Sequence, residues 1–158
     1  MAFTHRVPAL RHGSFALAES TAIAEYVDEV FAGTSLYPRQ PQHKARARQI
    51  QSWLRSDLLP IRQERSTEVL FRQPSSVPLS SEAQACAAKL FAAVEAFLPE
   101  GATHLFGSWC LADTDLALMI QRLAHSGDAV PPRLARYAEQ QWQRPSVQQW
   151  VAWAGVPR

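Results

Sequence analysis

The residues with most chemical content are few. Glu19-Ser20 opens a helical pattern, and Val7-Pro8 opens a short apolar run just upstream. A helix start with free amides and a serine hydroxyl is a natural carboxylate site. The plain alternative is a hairpin and a capped surface helix with no ligand. Lys44, Arg48, Arg55 and Arg62 recur on one face of a later helical stretch, away from Asp57 and Glu64. Guanidinium groups there either match the carboxylates of a ligand or form an ordinary solvated face. Trp53 on the same stretch reads as an apolar wall beside those arginines or as core. Cys110-Leu111-Ala112-Asp113 reads as a capping box in which the thiol stands where a hydroxyl is usual. Asp113 is then structural, and the cap is weaker than its serine version by a fraction of about 1 kcal/mol. The sharper reading makes Cys110 a reactive thiol, since a helix N-terminus lowers thiol pKa. Between Trp109 and Leu111, a buried and inert thiol is the competing reading, and Cys86 reads as core.

Other devices are missing from the sequence. His5, His12, His43, His104 and His125 show no ligand spacing, so no metal site is inferred. Asp113 and Asp115 diverge on a helix, which argues against paired carboxylates. There is no Gly-rich phosphate loop and no GxSxG elbow.

These residues need elements to hold them. Val7 to Leu10 reads as a strand, and its proline confines it to an edge, a bulge or a cis turn. His12-Gly13-Ser14 reads as the turn to a second strand, Phe15-Ala16-Leu17. Ser20 is the predicted N-cap of a helix with Ile23, Tyr26, Val27 and Val30 at helical spacing. Residues 33–41, with a glycine and two prolines, form a linker. A long helical stretch runs from 42 to about 72, with Ile50, Trp53, Leu54, Leu58 and Ile61 inward, and Pro60 kinks or splits it. Residues 74–78 are a loop. Ser80 or Ser81 caps a helix to about Leu98, with Ala87, Leu90, Phe91, Val94 and Phe97 inward. The very apolar run from Leu111 to Leu123 is the predicted central buried helix. Shorter helices follow Pro131-Pro132 and Arg144-Pro145.

The chain's 158 residues, 47% of them hydrophobic, suffice for one sizeable core. No apolar run approaches the roughly 20 residues that cross a bilayer, so no membrane association is expected. A formal charge of +2 gives no reason to expect nucleic acid. Two cysteines without a CxxC pair suit a reducing compartment.

The strand–turn–strand–helix unit, spelled Val7-Pro8 with Glu19-Ser20-Thr21-Ala22-Ile23-Ala24-Glu25-Tyr26, resembles the glutathione-binding end of the thioredoxin-like domain of soluble (cytosolic) glutathione S-transferases. The runs Arg46 to Leu58, Trp109 to Ile120 and Gln141 to Gln148 narrow the resemblance to a bacterial subgroup, the YfcF type. It extends from Arg6 over essentially the whole chain.

The resemblance implies a mainly α fold: the second half of a thioredoxin-like domain (β-β-α) at 1–33, a linker at 34–41 and an all-helical C-terminal domain at 42–158. It implies a cis Val7-Pro8 bond, with the Val7 backbone serving the cysteinyl part of glutathione and Glu19-Ser20 holding its γ-glutamyl end. Trp53 and Arg55 would face the second-substrate cleft. Glutathione is the implied co-substrate, with no covalently bound cofactor. A small electrophile or peroxide is the partner substrate, and the setting is a cytoplasmic homodimer, typically in detoxification. No strand–helix–strand unit fits ahead of Arg6, so the chain reads as N-terminally truncated relative to the family. The residue that activates the thiol belongs to that segment. Two functions follow: a glutathione transferase or glutathione-dependent peroxidase, conjugating glutathione to electrophiles or reducing peroxides or disulfides with it, and a non-catalytic remnant that binds a ligand or protein through its helical domain.

Overall fold

The structure, a computed structural model, describes residues 7–154; His5 and Arg6 lie outside the described residues. It opens with a two-stranded antiparallel hairpin, β1 (Ala9–His12) and β2 (Phe15–Ala18). Val7-Pro8 is not inside the strand as its apolar run suggested. It precedes β1, and its peptide bond is cis. A proline has no amide for the ladder, so pairing begins with the next residue. The turn is shorter than expected, because His12 pairs with Phe15 and leaves only Gly13 and Ser14 between them. Gly13 has φ 61, as the first position of a tight hairpin turn requires.

Helix α1 spans Ser20–Val30. The capping prediction is corrected here: Ser20 is the first helical residue, and Glu19 occupies the N-cap with φ 73 and ψ 114 and no side-chain cap bond. The chain must reverse sharply out of β2, and that left-handed residue makes the reversal. The apolar face of α1 is only half covered, with no fully buried residue and Val30 exposed.

The linker carries the chain to α2 (Pro41–Ser56), whose first residue is a proline, at the position where a missing amide costs nothing. The long helical stretch is divided into three: α2, α3 (Leu59–Glu64) and α4 (Glu68–Phe71). Pro60 explains the first break. It sits in the opening turn of α3, and α2 ends at Ser56. Ser80 caps α5 (Ser81–Phe97) by accepting from the Ala83 amide at 3.1 Å. Then come α6 (Leu111–Ala124), α7 (Pro132–Trp142) and α8 (Pro145–Ala154).

α6 is the central helix, packed chiefly against α7 and α2. Its Ala112, Leu116, Ala117, Ile120 and Leu123 are almost wholly buried, together with Ile50, Leu54, Leu58, Ile61, Leu90 and Leu134 from the surrounding helices. Cys86, expected in the core, is only half buried at its margin, with its thiol 3.7 Å from the Asp57 carbonyl. Among the described residues no helix is long and apolar enough to cross a membrane.

Two anchorages fix this bundle. Asp113 is fully buried and accepts from the Leu105 amide at 2.7 Å, the Cys110 amide at 2.9 Å and the Tyr137 hydroxyl at 2.8 Å. It therefore caps α6, holds the preceding loop and ties in α7. Arg65, 2% exposed, makes a two-pronged pair with Asp128 at 2.6 and 2.8 Å and donates to the Val77 carbonyl. Buried charges of this kind are tolerated because their polar atoms find partners.

Candidate functional site

The hairpin register determines what meets at its open end. Ala9 pairs with Ala18, so the residues just outside the ladder, Val7-Pro8 on one side and Glu19-Ser20 on the other, leave the sheet at the same edge. All four are solvent-exposed. The first intrahelical bond of α1 runs from the Ile23 amide to the Glu19 carbonyl at 2.9 Å. The amides of Ser20, Thr21 and Ala22 thus have no intrahelical acceptor. With no acidic residue in the first turn and no side-chain cap, this helix start presents positive partial charge to solvent beside the Glu19 carboxylate. Free amides and a hydroxyl next to one carboxylate suit a zwitterion.

At the opposite end, His12 Nδ1 and the Tyr26 hydroxyl lie 2.8 Å apart, and His12, Phe15, Tyr26 and Phe31 form an aromatic cluster that braces α1 on the hairpin. Sequence reading missed this brace because aromatic cross-contacts have no linear spacing.

The basic residues expected on one face divide between two tasks. Arg48 donates to Glu25 at 2.6 Å, and Lys44 lies 3.9 Å from Glu29, so both reach α1. Asp28 adds to this seam by accepting from the Leu36 amide at 2.5 Å. Arg55 turns the other way, towards α6, with its guanidinium 3.4 Å from Asp115 Oδ2. Arg62 belongs to a separate helix and donates to the Arg55 carbonyl at 3.4 Å. The face is thus partly solvated, as the plain reading has it, with its cations paired across helices.

Arg55, Arg62, Asp115 and Arg122 line a cleft of about 140 Å³ between α2, α3 and α6. Gln51 Nε2 donates to Asp115 at 2.7 Å. Burial holds the Asp115 carboxyl above its usual range, with Gln51 and Arg55 opposing that rise. Trp53 packs half-buried against the main core while Gln51, Leu54 and Arg55 on the same helix line the cleft. Arg122 was overlooked in the sequence. The available signal was the one cation of α6, directly after Gln121 and well away from the two aspartates of its first turns.

Asp113 and Asp115 diverge, one into the core and one into the cleft. Cys110 is 1% exposed, and burial together with the neighbouring Asp113 charge pushes its thiol up to about 12. The reactive-thiol reading fails on that environment.

Residues 40–155 match the C-terminal domain of glutathione S-transferases, and residues 1–29 match the N-terminal domain. Among solved structures, a glutathione transferase homolog from Burkholderia gl BGR1 with bound glutathione is 43% identical, with a TM-score of 0.77. The match covers 97% of this chain and 75% of that one. No curated protein matches. A hairpin with its helix, followed by a helical bundle around a capped central helix, defines a protein of glutathione transferase architecture. This chain belongs to the glutathione S-transferase family.

Proposed function

We propose that the protein binds glutathione at the open end of the hairpin and uses it against a small electrophile or peroxide. The observation that carries this reading is the convergence of Val7-Pro8 and Glu19-Ser20 at one sheet edge, set by the Ala9–Ala18 register. The γ-glutamyl end of glutathione carries an ammonium and a carboxylate. Glu19 takes the ammonium, while the Ser20 hydroxyl and the free amides of α1 take the carboxylate. The Val7 backbone, beside Pro8, meets the cysteinyl part. The relative with bound glutathione supports the assignment.

On this reading residues 1–33 form the glutathione-binding unit, 34–41 the linker and 42–158 the helical domain. The second substrate lies on the helical domain beside Trp53 and Arg55. In conjugation the glutathione sulfur forms a bond to the electrophilic carbon, the leaving group departs with the bonding pair, and the thiol proton goes to solvent. In peroxide reduction the sulfur attacks one peroxide oxygen and the O–O bond breaks, giving a sulfenic acid and an alcohol or water, and a second glutathione then displaces water to form the disulfide. Binding both partners contributes by holding sulfur and acceptor in register. The setting is the cytoplasm, and the assembly a homodimer.

Turnover tests the reading. Glutathione with 1-chloro-2,4-dinitrobenzene, and separately with cumene hydroperoxide, is expected to react faster with the protein than without it. Saturable glutathione binding with no turnover of either substrate would favour a non-catalytic binding role.

A further inference from the structure

The cleft between α2, α3 and α6 is over-supplied with positive charge. Arg55, Arg62 and Arg122 converge on it, and among the described residues Asp115 is the only carboxylate in its lining. A guanidinium offers five N–H donors. Among the described residues, Arg55 commits one to Asp115 and Arg62 one to the Arg55 carbonyl, both at 3.4 Å, and Arg122 one to the Arg65 carbonyl at 2.6 Å. Most of the remaining donors have no protein acceptor among the described residues and stay open to solvent or to a ligand. Burial first, and the facing Arg62 charge second, pull Arg122 down to about 10, so it keeps its proton at neutral pH against both penalties. Asp115 is held by Arg55 and Gln51, so among the described residues Arg62 and Arg122 face each other with no carboxylate paired to either, and they favour an anion that can enter.

Leu118 and Met119 flank the cations on the α6 side. Both are already largely covered by the protein, Met119 in the main core and Leu118 against the cluster of Val69, Leu70, Trp142 and Val147, so the cleft offers a ligand charge more than apolar area. We infer that the cleft takes the carboxylate of an organic anion, with Arg62 and Arg122 as recognition groups. This deepens, and rests on, the reading of Arg55 as part of the second-substrate cleft, by naming the substrate class as carboxylate-bearing.

Calorimetry on the full chain with benzoate, its neutral counterpart benzyl alcohol, and glutathione separates the possibilities. Benzoate is expected to bind, and benzyl alcohol to bind at least about tenfold more weakly. Arg62→Gln and Arg122→Gln should each weaken benzoate by about tenfold while leaving glutathione affinity unchanged. Arg62→Gln carries the test if Arg122→Gln does not fold, because its own contact is one long bond. Equal binding of benzyl alcohol and benzoate, or unaltered benzoate affinity in Arg62→Gln, overturns the inference. Loss of glutathione binding in Arg62→Gln also overturns it, since glutathione's own carboxylate would then occupy the cleft. Benzoate binding without glutathione binding would instead sink the hairpin site and uphold the carboxylate cleft.

Discussion

The Tyr137 hydroxyl donates to Asp113 Oδ1 at 2.8 Å, joining the first turn of the central helix to the middle of α7. The same carboxylate takes the amides of Leu105 and Cys110, and none of its surface is exposed. Removing it strands three buried donors at once. Asp113→Ala should therefore cost at least about 3 kcal/mol, and Tyr137→Phe, which removes one donor, about 1 kcal/mol. Urea unfolding of both variants checks the ranking, and a Tyr137→Phe loss as large as that of Asp113→Ala would contradict it.

The pair of Arg65 with Asp128 is similarly placed but carries a full charge on each partner. Asp128→Ala leaves the Arg65 guanidinium buried and short of its main acceptor, a change expected to cost about 3–5 kcal/mol. Added salt should barely alter that loss, because a side chain with 2% of its surface exposed is poorly screened. Unfolding measured at low and high salt reads both quantities.

Arg48 and Glu25 are partly exposed, so their pairing across the seam between α1 and α2 contributes little despite its 2.6 Å distance. A double-mutant cycle should give about 0.2–1 kcal/mol, shrinking as salt is raised. A coupling several times larger would mean that the hairpin unit depends on this contact far more than its exposure suggests.

Cys110 should resist iodoacetamide in the folded protein at neutral pH and react once the protein is unfolded. Its pKa rises from 9.0 to about 12 on folding, because burial penalises the thiolate and Asp113 repels it. The folded state therefore holds the proton more tightly, and this contribution to stability is complete below pH 9. It declines as pH climbs from 9 towards 12, so Cys110→Ser should lose less stability than the parent over that window. Mass spectrometry after alkylation and melting curves across alkaline pH test the two halves separately.

Much of the bundle was legible because its signals are local. Ser80 as a cap, Pro60 as a break and the apolar run of α6 each act within a few residues, and each stands where the sequence put it. The start of α1 was misread for an equally physical reason. Ser20 has the side chain of a cap, but the sharp exit from β2 places the left-handed residue at Glu19 and moves Ser20 into the first turn. The proline in the apparent strand was likewise excluded from the ladder. Contacts across the fold were not readable: Asp113 was seen as a cap, and its bond to Tyr137 depends on how α7 packs. The cleft cations illustrate the same limit, since Arg122 joins Arg55 and Arg62 only through tertiary packing.

Glutathione titrated into the full chain by calorimetry, alongside Glu19→Ala and Ser20→Ala, probes the hairpin site most directly. The account predicts saturable binding by the parent protein and a loss of about tenfold or more in each variant, since each removes a contact to a charged end of the ligand. No heat of binding in the parent, or the same affinity in both variants, would contradict it.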